Sequence, residues 1–389
     1  MLQKSLPLLF LLLALSANAD QLLVDKREFV TEDFTTFGGT TLPEVRVGWE
    51  AYGELNEDRS NVILITHFFS GTSHAAGRYH PDDPEPGYWD AIIGPGKAID
   101  TDRFYVISAD TLVNANVHDE QVITTGPASI NPETGQAWGS DFPVVTIRDF
   151  VEVQRRLLDS LGIERLHAVI GASMGSFQAL EWAVTYPERV ERMVSAIGAA
   201  RMGPWEVALL ESWARPIRLD PNWRAGRYYG QERPLDGLTT SLMQITLNAL
   251  HPDFFDRRFP QHDNLTDRAL AGIDSGFAVT DWLEERARQR ALVSDANHIL
   301  YLVRASQLFI AGHDGDLDSA LERVQARTLF LPAEGDLLLR PQLARDAHRQ
   351  LEAAGANSRL QTIPGPMGHL NGVAGIAAVS DTLADFLAD

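Results

Sequence analysis

The run Val169-Ile170-Gly171-Ala172-Ser173-Met174-Gly175-Ser176-Phe177 decides how the chain is read. It opens as an apolar strand, passes through Gly-x-Ser-x-Gly, and continues into a helical pattern that reaches Tyr186. With glycine and serine each near about 7% of residues, such a pattern arises by chance in roughly one chain in ten of this length. The context carries more weight. A strand before and a helix after are what a sharp turn needs to lift a serine hydroxyl clear of a sheet. Small residues at 171 and 175 let the backbone turn that tightly. The competing reading is a glycine-rich turn with an idle serine.

Outward from this turn, residues 61–67, 104–108, 192–197, 326–331 and 360–363 are short apolar runs, and 45–52 alternates at period two. Continuous apolar runs suit strands covered on both faces of a parallel sheet. Helical spacing fills the intervals. Residues 144–161 stop at Gly162, and 340–354 stop at Gly355, where a left-handed cap is expected. This alternation predicts an α/β fold with a mostly parallel central sheet. From 201 to 322 the rhythm breaks: no convincing strand occurs, and Trp205, Trp213, Trp223 and Trp282 sit among helical patterns. That stretch reads as an inserted α-helical lid, with the sheet domain formed by 20–200 and 323–389. An ordinary helical extension touching nothing reactive is the bland alternative.

A serine hydroxyl is a poor nucleophile at neutral pH and needs a base, which in turn needs an orienting acid. In the α/β-hydrolase fold the chain order is serine, acid, histidine. Asp336 follows the strand near 331 and His369 follows the strand near 363, so both lie where α/β sheets place their ligand sites. Ser173, Asp336 and His369 are therefore the expected catalytic residues. His313 is the chief decoy, because it precedes both of the last strands. Glu334 is the rival acid. The oxyanion donors are expected at the backbone N–H of Met174, directly after the nucleophile, and of Phe69, in the loop after an earlier strand. Losing one such donor typically costs about 3–4 kcal/mol of barrier stabilisation. His67 and His74 flank that loop and read as scaffolding.

Composition bounds the rest. The 389 residues carry a formal charge of −20, which repels nucleic acid and anionic lipid. There is no cysteine, so disulfides, thiolate catalysis and zinc–thiolate sites are excluded. No metal motif, Walker loop or dinucleotide fingerprint occurs, and neither a metal nor a cofactor is expected. Residues 1–19 pair Lys4 and a short apolar run with Ala17-Asn18-Ala19 before Asp20, the pattern of a secretory signal peptide. The run is shorter than the ~20 residues that span a bilayer. The expectation is an exported protein, periplasmic or secreted, with no membrane attachment after cleavage.

The segments 88–103, 125–132 and 139–149, together with Gly171 to Trp182, resemble the homoserine O-acetyltransferase family over nearly all of the mature chain. Ala172, Ser176 and Phe177 stand where that family usually has Gly, Gly and Met. The resemblance implies the α/β-hydrolase fold, a helical lid and ping-pong transfer from an acyl-CoA. It places the triad on Ser173, Asp336 and His369, and the oxyanion donors on Phe69 and Met174. Two departures matter. The aspartate that usually follows the catalytic histidine and binds the substrate amino group is here Leu370. The lid arginine that holds the substrate carboxylate is here Leu242, in Gly237-Leu238-Thr239-Thr240-Ser241-Leu242. A zwitterion would enter with both charges unpaired, which is costly. The loop 110–124 is longer than the family's, so a rebuilt entrance is expected.

The reading is thus acyl transfer on a small-molecule substrate, with a homodimer allowed. Hydrolysis of an uncharged ester, thioester or amide comes first. An O-acyltransferase using acetyl-CoA as co-substrate, with an acceptor other than homoserine, comes second. A non-catalytic binding protein comes last.

Overall fold

The computed structural model describes residues 22–260 and 267–388. The signal-peptide segment 1–19 lies outside them. The core is an eight-stranded sheet. Its strands are β1 (Arg27–Thr35), β2 (Thr41–Tyr52), β3 (Val62–Thr66), β4 (Tyr105–Ala109), β5 (Ala168–Ala172), β6 (Arg192–Ala196), β7 (Arg327–Leu331) and β8 (Ser358–Leu360). Their order across the sheet is β1-β2-β4-β3-β5-β6-β7-β8. β2 pairs antiparallel with β1 and β4, and every other pairing is parallel.

Strand periodicity explains why the central runs are apolar throughout. Val62 and Leu64 face one hydrophobic core, while Ile63 and Ile65 face the other. The first core receives α1 (Ile147–Ser160) and α2 (Met174–Thr185); the second receives α11 (Ser380–Ala388). A sheet covered on both sides needs no polar face. α1 starts where Thr146 donates its N–H to the Asp149 carboxylate at 2.6 Å, a capping arrangement. α10 (Pro341–Ala353) ends before Gly355, whose φ of +88° is the left-handed conformation expected there.

Two elements differ from the sequence reading. β1 was not anticipated, because Arg27, Glu28, Glu32 and Asp33 give it no clean alternation; charge on an edge strand discourages pairing with other chains. β8 ends at Leu360, earlier than expected, and only an isolated bridge joins Ile363 to Ala333.

Between β6 and β7 the described residues form helices α3 (Pro204–Leu219), α4 (Leu235–Ala249), α5 (Pro252–Arg258), α6 (Asp267–Leu270), α7 (Ala278–Val293), α8 (Ala296–Gln307) and α9 (Leu317–Glu322). At the start of α8, Asp295 both joins this insertion to the sheet domain and braces the insertion internally. Asp295 donates its N–H to the Ala115 carbonyl at 2.9 Å, and its buried carboxylate accepts from Tyr228 at 2.7 Å and Tyr229 at 2.9 Å. Burial acts to raise the carboxyl's pKa, yet hydrogen bonding from His118 and Tyr228 holds it below the ordinary aspartate range. Among the described residues no helix is long and apolar enough to cross a membrane.

Candidate active site

Ser173 sits at the turn between β5 and α2 with φ +55° and ψ −121°. Such a conformation costs about 1–3 kcal/mol and persists only where its surroundings enforce it. Here they do. A Cβ on Gly171 would stand 2.2 Å from the Gly175 carbonyl oxygen and from Thr66 Oγ1, and one on Gly175 would stand 2.0 Å from the Thr66 carbonyl oxygen. Both glycines are therefore demanded by close packing of the turn against β3. Thr66 Oγ1 donates to the Gly175 carbonyl at 2.8 Å, and the Ser173 N–H reaches the Ala196 carbonyl at 2.9 Å.

The structure brings the three expected residues together. His369 Nε2 lies 2.8 Å from Ser173 Oγ, and His369 Nδ1 lies 2.7 Å from Asp336 Oδ2. The other carboxylate oxygen, Asp336 Oδ1, accepts the N–H groups of Leu338 at 2.8 Å and Leu339 at 2.9 Å. Exposures of 8%, 4% and 2% for Ser173, His369 and Asp336 keep bulk water from competing for these bonds. An alcohol, an imidazole and a carboxylate in this line can pass one proton from oxygen to nitrogen and back. Glu334 is exposed, with no hydrogen bond to His369. His313 packs beside Phe37 and Phe309, away from the cavity that holds Ser173.

Phe69 lines the same cavity, with its ring edge-on to Trp213 at 5.6 Å. The backbone N–H groups of Phe69 and Met174 have no protein acceptor among the described residues. The peptide before Phe69 is clamped. The Phe68 carbonyl accepts the Gly71 N–H at 2.9 Å and lies 2.8 Å from His67 Nδ1. In a trans peptide this fixes the Phe69 N–H pointing the opposite way. His67 Nε2 accepts the Thr111 N–H at 3.1 Å, which requires the neutral ring. Burial pushes His67 down to about 4, so it stays neutral at neutral pH. His74 instead binds Glu50 at 3.0 Å, beyond the cavity lining.

The loop 110–124 corrects an expectation. None of its residues lines the cavity. It braces the site from behind: Asn114 Nδ2 donates to the Gly71 carbonyl and Asn116 Nδ2 to the Ser70 carbonyl, each at 3.0 Å, while Ser294 of the helical insertion donates to Asn116 at 3.1 Å. The loop thus ties the Phe69 segment to the insertion.

The cavity holds about 390 Å³ and is walled largely by apolar side chains from the sheet domain and the insertion, among them Phe177, Trp213, Ile245 and Leu370. Leu370 is where the sequence placed it. Leu242 is not: it is wholly buried in the core, and α4 presents Ile245, Thr246 and Ala249 to the cavity. A continuous apolar stripe on α4 hides which turn meets the cavity. The sequence reading also missed Arg286 and Arg290, which line the cavity from α7. Their only signal was spacing of one helical turn, which resembles any solvated face. Among the described residues no three histidine or acidic groups converge as a metal site.

A model of the α/β hydrolase fold family matches residues 54–371. A homoserine O-acetyltransferase of Symbiobacterium thermophilum is 39% identical over 333 residues, 85% of this chain and 85% of that protein. The crystal structure of esterase E22 is similar with a TM-score of 0.92 at 56% identity, covering 94% of this chain and 100% of that one. A homoserine O-acetyltransferase from Bacillus anthracis follows the chain with a TM-score of 0.91 at 37% identity, covering 95% and 98%. Enzymes of these kinds need no cofactor, and acetyl-CoA enters the acetyltransferases as a co-substrate. A family model over most of the chain and relatives of this identity and coverage place the chain in the α/β-hydrolase fold family, within its homoserine O-acetyltransferase-like group.

Proposed function

We propose that the protein is a serine hydrolase of small esters or thioesters, working through an acyl-enzyme on Ser173. The supporting observation is the Ser173–His369–Asp336 chain of hydrogen bonds on a cavity where Leu370 stands next to the histidine. Ser173 Oγ attacks the carbonyl carbon while its proton passes to His369 Nε2. The oxyanion forms between the N–H groups of Phe69 and Met174. The C–O or C–S bond then breaks, and the leaving alcohol or thiol takes the proton from His369. Water then attacks the acyl carbon while His369 takes its proton, and His369 returns that proton to Ser173 Oγ as the acyl–serine bond breaks and the acid leaves. Asp336 holds the ring with Nδ1 protonated and stabilises the imidazolium between the two transfers.

Hydrolysis is favoured over transfer to homoserine because Leu370 and the apolar wall of α4 offer an ammonium group no partner. The similarity to esterase E22 at 56% identity agrees with this. A second reading, transfer from acetyl-CoA to another hydroxyl acceptor, draws on the relatives named homoserine O-acetyltransferase. Purified protein is expected to release acid from 4-nitrophenyl esters and to form no O-acetylhomoserine from acetyl-CoA and homoserine. Acetylation of homoserine at an ordinary enzymatic rate would end the hydrolase reading. Export through residues 1–19 belongs to the same proposal, since acyl-CoA is a cytoplasmic metabolite. Sequencing the mature protein should find its first residue at Asp20; a retained Met1 in the cytoplasmic fraction would refute export.

A further inference from the structure

Arg290 is the unusual side chain of the cavity. It lies half-buried on α7 and its one hydrogen bond among the described residues runs from Nη1 to Thr246 Oγ1, at 2.9 Å. Thr246 passes its own proton to the Leu242 carbonyl at 2.8 Å, so its oxygen is oriented to accept. No carboxylate lies within ion-pairing distance of Arg290 among the described residues. Other arginines of the insertion do have acidic partners: Arg218 pairs with Glu211, Arg227 with Asp141, and Arg288 with Glu284. Burial, with Arg286 one turn away adding like charge, pushes Arg290 down to about 10. It therefore remains a cation at neutral pH.

The charge inventory of the cavity is one-sided. Arg286 and Arg290 line it together with Ser173 and His369, and no aspartate or glutamate does. In a chain with 53 acidic and 33 basic residues, that exclusion of acids runs against the composition. A guanidinium in a largely apolar wall loses hydration and, with only one of its five N–H groups engaged, leaves a fork of donors unused. Such a fork matches the two oxygens of a carboxylate.

We propose that Arg290, assisted by Arg286, anchors a carboxylate carried by the ester substrate at the end remote from the bond that Ser173 attacks. This inference rests on the esterase reading and narrows its substrate class from small esters in general to ester monoanions, in place of the uncharged ester that the sequence alone suggests. The carboxylate can belong to the acyl part, as in a half-ester of a dicarboxylic acid, or to the alcohol part, as in an ester of a hydroxy acid.

The test compares matched pairs. Mono-4-nitrophenyl glutarate against 4-nitrophenyl pentanoate probes the acyl side, and 4-acetoxybutyrate against butyl acetate, followed by titration of released acid, probes the alcohol side. Wild type should prefer the anion in one pair. Arg290→Met should lower the anion-to-neutral ratio of kcat/KM in that pair by about tenfold to a hundredfold, the range of a lost charge-assisted hydrogen bond. Arg290→Lys should restore part of the ratio, and Arg286→Gln should reduce it less. The pair that responds identifies which part carries the charge. Ratios unchanged by Arg290→Met and Arg290→Lys in both pairs would overturn the inference, as would wild-type preference for the neutral member of each. If wild type turns over the neutral esters in that case, the esterase reading stands. If it turns over none of the four and Ser173 resists a fluorophosphonate, that reading falls as well.

Discussion

Ser173→Ala is expected to lower kcat for ester hydrolysis by roughly a millionfold, with the fold unchanged. The substitution removes one oxygen from a side chain whose backbone is held by the Ala196 carbonyl and by the packing of Gly171 and Gly175 on Thr66. The conformation at 173 is already one that a Cβ-bearing residue occupies, so alanine adds no strain. What is lost is the oxygen to which the proposed mechanism assigns the acyl bond. His369, 2.8 Å away, then has no proton to take. Because alcohol and imidazole act as a unit, Ser173→Ala/His369→Ala should be no slower than either single variant. The residue of activity, on the order of a thousandfold over water, reflects binding and the two backbone donors alone. Turnover of 4-nitrophenyl butyrate and fluorophosphonate labelling check this. A variant that keeps more than a small percentage of the rate, or still labels, would mean that another residue is the nucleophile.

Several parts of this site were legible in the chain because they are local. The strand–turn–helix around Ser173 is written in consecutive residues, and its glycines answer contacts the structure shows. Asp336 and His369 could be ranked because strand ends set where side chains can converge. What stayed hidden depends on contacts between distant segments. The clamp of His67 on the Phe68 carbonyl cannot be read from a histidine beside two phenylalanines. Asn114 and Asn116 look like loop polarity until their bonds to Gly71 and Ser70 are seen. Leu242 and Ile245 are alike as sequence, and only the rotation of α4 sends one to the core and the other to the cavity. Arg290 escaped for the opposite reason: a charge on a helix is usually solvated, and burial had to be observed.

Asp336→Asn is expected to cost about 10⁴ in kcat while leaving stability near that of wild type. The backbone dictates how the amide must sit. The Leu338 and Leu339 N–H groups both point at Oδ1, so the asparagine oxygen has to take that place. Its NH₂ group then faces His369 Nδ1 at the position of Oδ2, formerly 2.7 Å away. A donor there can be met only by an unprotonated Nδ1, which moves the ring's proton to Nε2. That nitrogen then presents hydrogen to Ser173 and cannot accept one. The loss is therefore one of tautomer rather than of folding, and it should appear in kcat with little change in KM. Asp336→Ala separates the two effects. It leaves two buried N–H groups without acceptors, at about 1–3 kcal/mol of stability, but it does not force the wrong tautomer. Denaturant melts and single-turnover rates on both variants check this. An asparagine variant near the wild-type rate would show that the carboxylate at 336 does not set the state of the ring.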